Sequence, residues 1–349
     1  MPEIWLRYGT SEVVLDIKAE NMLRHARLAE EPMSDDVLSA RYEAICSSVD
    51  GPVDMVILDG SRVAAGVASR LVSYLEGRGR SIGGIYSTAR VTGIDARPFR
   101  GIASGRRTVL ISRAALDPVF TYSCTATALM RLDTRLMHNA YNAFIHGEHS
   151  RIREMVDGYL QGINSNSTSL EIIQGERGIV DLLVCDTPSS YHLVSSRLDG
   201  LAYHAEVCRS IIASPGHTYR LTDALTALWN CSRVLKGDDG IIIMLAECVD
   251  GLGAEALQML VEGRIQYTAA VDSHGYVDGL EYVHMIKAMR EKGHDLGLVT
   301  MLPERYVRAL GFRAFRRIRD ALAYILGRMG QRHKVMVVSD AYTMPLVRV

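Results

Sequence analysis

The chain has 349 residues, 48% hydrophobic and 23% charged, with a formal net charge of −1. This composition fits a globular protein of two domains; the charge balance argues against a global basic field for nucleic acid, and no apolar stretch approaches the ~20 residues of a membrane span. Six cysteines, at 46, 124, 185, 208, 231 and 248, form no CxxC pair. They read as reduced thiols of a cytoplasmic protein, with neither disulfide frame nor zinc ribbon, and the N-terminal MPEIWLRYGTSEVVLDI does not read as a signal peptide.

In chain order, Val13 to Ile17 reads as a short strand and Asp36 to Ser48 as a helix. PVDMVILDGSR (52–62) reads as a buried strand, Met55 to Leu58, that ends in a polar turn, and Val63 to Glu76 as the helix after it. SIGGIYSTAR and RRTVLISR supply two further strands, so the order is βαβ and the sheet parallel. Arg135 to Leu160 reads as mostly helical. SLEIIQGERGIVDLLVCD reads as a hairpin around Gly175-Glu176-Arg177-Gly178, followed by a loop and short helix between Asp186 and Arg197. A second α/β unit follows: a strand at Arg209 to Ala213 closing in Ser-Pro-Gly, the helix TDALTALWNCSRVLK, then GIIIMLAECVDGLGAEALQML. There Ile241 to Ala246 is apolar without alternation, the pattern of a strand buried on both faces. DLGLVTML reads as another strand, Arg305 to Arg328 as an arginine-studded helical stretch, and KVMVVSDA as a last strand. The boundary falls between about 150 and 205 on composition and pattern, taken here as domains 1–150 and 151–333, with strand 334–349 rejoining the first.

Three places carry candidate chemistry. Asp59-Gly60-Ser61-Arg62 follows a buried strand and opens a helix, so backbone N–H groups and the helix N-terminus face one point. Ser61 adds a hydroxyl, Arg62 a planar fork for phosphate, and Asp59 orients the arginine or caps the helix. An ordinary capped turn fits the same residues. MHNAYNAFIHGEHS places His138, His146 and His149 close together, with His146 and His149 one helical turn apart. Three histidines can bind zinc or nickel, and exposed helix histidines fit equally. Glu247, Cys248, Asp250 and Gly253 lie where ligands sit in open α/β sheets; Glu247 also suits a helix cap or an arginine partner, with Gly251 and Gly253 serving a tight turn. GxxxxGK[ST], GxGxxG, HExxH and GxSxG are absent.

These pieces together resemble the lactate racemase family, the nickel-pincer-nucleotide proteins. IIASPGHTYRLTDALTALWNCSRVLKGDDGIIIMLAECVDGLG is similar to that family's strand with a Ser-Pro-Gly-type turn, helix, Val-Lys-x-Gly-Gly turn and strand closing on Ala-Glu-Cys with a Gly-x-Gly. ERGIVDLLVCD resembles its middle region, and ILDGSR resembles its Asp-x-Thr-Arg turn, which holds the cofactor phosphate. The resemblance implies two α/β domains with a cleft between them, a racemase or isomerase of a 2-hydroxy acid, a nickel-pincer nucleotide, and a nickel ligand at His146 or His138. The family's paired histidines are replaced: IYSTARVTG puts Arg90 near the first, and LDPVFTY puts Val119 at the second. Its cofactor lysine belongs where SCTATALM stands, and no lysine lies between Lys18 and Lys236. A substrate-binding Gln and Lys would fall near Asp223 and Thr226. Valine has no proton to exchange and arginine stays protonated, so lactate racemisation is not expected.

The resulting expectation is a divergent lactate-racemase-like isomerase. Two alternatives stand beside it: a non-catalytic, regulatory binder of a nucleotide or small anion on the same fold, and a methyltransferase-like enzyme, since VLKGDDGIIIM is similar to a late turn of Rossmann methyltransferases. The expected partner is a small-molecule or nucleotide ligand in the interdomain cleft, with no nucleic acid and no membrane. The residues leave the oligomeric state open.

Overall fold

The computed structural model describes residues 3–48, 51–89, 91, 93–102, 107–163, 166–266 and 275–349. In chain order the elements are β1 (Glu3–Tyr8), β2 (Ser11–Asp16), β3 (Met22–Ala26), α1 (Asp35–Ser48), β4 (Val53–Ile57), α2 (Arg62–Gly77), β5 (Ile82–Ser87), β6 (Arg97–Pro98), β7 (Arg107–Asp117), β8 (Thr121–Ser123), α3 (Thr125–Arg131), α4 (Thr134–Ile145), α5 (His149–Gly162), β9 (Ser167–Gly175), β10 (Gly178–Asp186) and α6 (Ser190–Asp199). There follow β11 (Tyr203–Ala205), β12 (Ser210–Ala213), α7 (Leu221–Ser232), β13 (Ile241–Leu245), α8 (Glu255–Val261), α9 (Leu280–Glu291), β14 (Asp295–Val299), α10 (Glu304–Ala309), β15 (Arg313–Phe315), α11 (Ile318–Met329), β16 (Val335–Val338) and β17 (Leu346–Arg348).

Two compact units share these elements. A central unit takes Glu30–Ala143 and Glu148–Arg197; a split unit takes Met1–Ala29, Phe144–Gly147 and Leu198–Val349. The central unit is built on a sheet of order β10-β9-β7-β4-β5-β6, with β8 folded back on β7. Its strands are parallel except for the β9–β10 hairpin and the β7–β8 pair. All five residues of β4 are buried, because parallel strands covered on both faces have no solvent side. α2 lays Ala64, Val67, Ala68, Leu71 and Leu75 into this core at three- and four-residue spacing, where they join Met55, Ile57, Val109 and Ile111.

The split unit has a fully parallel sheet of order β15-β14-β13-β12-β16-β3. The apolar run read at 241–246 is its third strand, β13, buried at every position and paired on both sides. The chain's start belongs here because β3 pairs with β16, Met22–Ala26 against Val335–Val338. This corrects two expectations. The first 29 residues lie in the split unit and not with residues 30–143, and the strand read at KVMVVSDA, β16, pairs with β12 and β3 inside that same unit, while β17 pairs with β11.

Two helical readings are also corrected. Arg135 to Leu160 is two helices, since α4 stops at Ile145 and Gly147 takes a φ of +70° before α5 begins. Arg305 to Arg328 is likewise interrupted, by edge strand β15. No helix among the described residues is long and apolar enough to cross a membrane.

Asn230 holds the split unit's last segment in place. It is fully buried in α7, donates to Ala341 O and Met344 O at 2.9 and 2.8 Å, and accepts Leu346 N–H at 2.9 Å. Asn230→Ala leaves three buried backbone groups without partners, at about 1–3 kcal/mol for each orphaned group. We expect a loss of at least ~3 kcal/mol in urea unfolding; a loss below ~1 kcal/mol would show that water replaces the amide.

Candidate functional site

In open α/β sheets the carboxyl ends of the strands carry the chemistry, and both units concentrate their polar side chains there. In the central unit, β4 runs out at Ile57 and the chain turns through Gly60, whose φ is +62°. Asp59 organises the turn. Its Oδ1 accepts Ser61 N–H at 2.8 Å, and its Oδ2 accepts the Ser61 hydroxyl at 3.0 Å and Arg113 N–H at 2.9 Å. The Arg113 guanidinium, 7% exposed, brings Nε to 3.8 Å from the same oxygen. Ser61 Oγ accepts Ala64 N–H at 3.2 Å and so caps α2. Ser61, not Asp59, is therefore the cap; the carboxylate holds Ser61 and β7. Arg62 is the first residue of α2, with an exposed side chain.

Behind this turn lies a group that the sequence reading did not single out. Glu171 on β9 sits in register with Ser112 on β7, and its side chain is completely buried. Its Oε1 accepts the backbone N–H and the hydroxyl of Thr125 at 2.9 and 2.6 Å. Thr125 also meets Ser169 Oγ at 2.5 Å, and Ser169 donates to Thr187 at 3.0 Å. Burial, reinforced by the charge of Asp59 and opposed by the Thr125 hydrogen bonds, pushes Glu171 up to about 8. Burial thus favours its neutral form. In the sequence its signal is a glutamate within the otherwise apolar strand run LEII.

Val119 is 1% exposed, and its N–H donates to Asp117 Oδ1 at 2.8 Å. Asp117 also pairs with Arg131 at 2.6 Å. Cys124, Thr125 and Thr127 are all fully buried. Thr127 Oγ1 accepts Cys124 N–H at 2.9 Å, and burial pushes the Cys124 thiol up to about 12. Arg90 lies outside the described residues. His138, His146 and His149 are exposed, and the helix break at Gly147 removes the helical turn expected to align His146 with His149. Among the described residues no three metal-ligating side chains come together.

In the split unit, the end of β13 explains its abrupt polar close. Glu247 Oε2 accepts Thr10 N–H at 3.3 Å, and its carbonyl accepts Met301 N–H at 3.2 Å. Glu247 thus ties the β1–β2 turn to the sheet, and among the described residues it neither caps α8 nor pairs with an arginine. A Cβ at Gly9, whose φ is +58°, would lie 1.8 Å from that carboxylate, so only glycine fits. Burial, then the charges of Glu247 and Cys248, pushes Tyr8 up to about 12. Ser214, after β12, donates to Arg7 O at 2.6 Å and accepts Gly216 N–H at 3.1 Å. Asp223 lies in the first turn of α7, and Thr226 is buried with its hydroxyl 3.1 Å from that of Tyr282.

By sequence, no family model and no curated protein matches this chain. By structure, it resembles the lactate racemase apoprotein of Thermoanaerobacterium thermosaccharolyticum, with a TM-score of 0.67 at 13% identity, over 99% of this chain and 100% of that one. A Thermotoga maritima protein of known crystal structure matches with a TM-score of 0.63 at 11% identity, over 91% of this chain and 100% of its own. The fold is therefore lactate-racemase-like.

Glu171 makes stability depend on pH. Its folded value, about 8, lies above the ordinary 4.5, so the folded chain holds this proton more tightly than the unfolded one. The stabilisation is complete below about 4.5, declines as pH rises, and is gone above about 8. Replacing Glu171 with glutamine keeps an acceptor for Thr125 and removes the titration. The gap in melting temperature between Glu171→Gln and wild type should widen in favour of the variant from pH 5 to pH 9, roughly the span of that titration. A gap constant over that range would show that Glu171 is ionised in the fold.

Proposed function

We propose that this chain binds a small phosphate- or carboxylate-bearing ligand, a nucleotide among the candidates, at the head of α2. It would do so on a lactate-racemase-like fold that lacks the racemase's own chemistry. The carrying observation is the turn at 59–62. Asp59 and Ser61 fix it rigidly against β7, which leaves the capped N-terminus of a 16-residue helix and the exposed Arg62 at the end of a buried strand. The first-turn amides carry partial positive charge, and Arg62 supplies a planar fork. The likeness of ILDGSR to the racemase family's phosphate-holding turn supports the same reading.

The residues do not fit a lysine-tethered nickel-pincer nucleotide. The segment that would hold the lysine carries no amine, and its Cys124, Thr125 and Thr127 are fully buried and bonded to one another and to Glu171. Val119, comparable to one catalytic histidine, is a core apolar residue. His146 is exposed beyond the end of α4. No step of the racemase reaction is therefore assigned to this chain.

The ligand reading is tested by titration calorimetry with AMP, nicotinic acid mononucleotide and inorganic phosphate. A charge-assisted hydrogen bond contributes about 1.5–3 kcal/mol, so Arg62→Ala should weaken binding about ten- to a hundredfold with little change in melting temperature. Equal affinity in both proteins would assign Arg62 to structure. A second measurement follows the optical purity of each lactate enantiomer with nickel and the nucleotide cofactor supplied. We expect no conversion above background; conversion would mean that residues other than Val119 and Arg90 exchange the proton.

A further inference from the structure

The overall charge of −1 conceals a strong local field. Residues 303–334 carry nine basic side chains, eight of them arginine, against Glu304 and Asp320, a net +7; the rest of the chain is therefore −8. All nine basic side chains are exposed. Six of them, Arg305, Arg308, Arg313, Arg316, Arg317 and Arg319, lie on α10, edge strand β15 and the start of α11, at the β15 margin of the split unit's six-stranded sheet, whereas Arg332 and Lys334 lie beside β16 near the opposite edge. At the centre of this margin is a cavity of about 490 Å³ lined by Arg290, Arg308 and Arg313 with Asp295 and Glu304.

Three features separate this margin from an ordinary solvated surface. First, the carboxylates are too few. Arg308 takes Glu304 at 2.5 Å, Arg313 approaches Asp295 at 3.9 Å and Arg319 takes Asp320 at 3.6 Å, while Arg316 and Arg317 form no ion pair among the described residues. Second, Arg316, Arg317 and Arg319 crowd the N-terminus of α11, where the helix dipole already concentrates positive charge. Fold stability alone disfavours cations there, and a bound anion relieves the repulsion. Third, guanidinium planes are stacked on tyrosines: Arg305 over Tyr306 at 4.9 Å and Arg313 over Tyr324 at 4.4 Å. Stacked planes of this kind accept a nucleobase, which a peptide carboxylate does not exploit.

We propose that the arginine margin of α10, β15 and α11 binds single-stranded nucleic acid, its phosphates spread along the arginines. The bidentate fork of arginine suits phosphate oxygens, and the array is longer than one small anion needs. The site lies in the split unit and stands apart from the ligand reading at α2.

The test is fluorescence anisotropy with a labelled oligouridine of about 20 nucleotides, titrated with full-length protein from roughly 50 to 200 mM salt. Binding should weaken linearly with salt on logarithmic axes. The triple variant Arg316→Gln/Arg317→Gln/Arg319→Gln should bind at least tenfold more weakly and lower the salt slope by about 2, as loss of three single-strand phosphate contacts predicts. Its melting temperature should equal or exceed that of wild type, since three cations leave the positive end of α11. A control that removes three exposed arginines of the central unit, Arg41, Arg151 and Arg153, should bind like wild type. Absence of binding at low salt, equal loss in both variants, or equal binding of polyglutamate of matched charge would overturn the proposal.

Discussion

A parallel strand buried on both faces delivers its last polar groups into a place without water on either side. Those groups have to be satisfied by whatever lies at the carboxyl edge of the sheet. This constraint organises both units. In the central unit it is met by Asp59, which accepts from Ser61 twice and from Arg113 once, so one carboxylate joins β4, α2 and β7. In the split unit it is met by Ser214 and Glu247, which reach back to Arg7 and Thr10 of the N-terminal hairpin. The hairpin is thereby part of the sheet's edge, although more than two hundred residues separate Thr10 from Glu247.

That separation explains which parts of the fold were legible in the sequence. Elements defined by local pattern were readable: the unalternating β13, the buried β4, the helix after Ser61, and the hairpin around Gly175 to Gly178. The assignment of the first 29 residues was not. β3, with the sequence MLRHA, has a mixed pattern, and its place beside β16 depends on a pairing across more than three hundred residues. β15 was hidden for a different reason. Its residues Arg-Ala-Phe sit between two arginine-rich helices of six and twelve residues, and a three-residue edge strand leaves too short a trace of alternation to interrupt a helical pattern. The break at Gly147 had a visible signal, the glycine itself, but a lone glycine within a helical pattern is often tolerated.

The candidate site was legible to a similar degree. The residue types at 59–62 suggested a turn at the head of a helix; in it Ser61 caps α2, and Asp59 accepts from Ser61 and Arg113. Glu171 was not read as a site residue, because its significance lies in what surrounds it. A glutamate in a strand is unremarkable until Thr125, Ser169 and Thr187, from other parts of the chain, are seen to enclose it. Burial then pushes its carboxyl up to about 8, and its second oxygen, Oε2, has no hydrogen-bond partner among the described residues.

A fold can recur at 13% identity because what a parallel sheet demands is generic. Any apolar residues fill the strands, and any small set of hydroxyls and carboxylates satisfies their ends. Catalysis by paired acid and base, or by a tethered cofactor, demands particular atoms at particular points. The segment around Cys124 and Thr125 shows the difference. It opens α3 directly after β8, and its side chains are engaged with Glu171 and with one another. Such a network rewards burial and closure, whereas a catalytic segment needs an exposed, reactive group. Sharing the racemase's architecture therefore constrains how this chain packs much more tightly than what it does, and function has to be argued from the turn at 59–62 and from the chain's own charges.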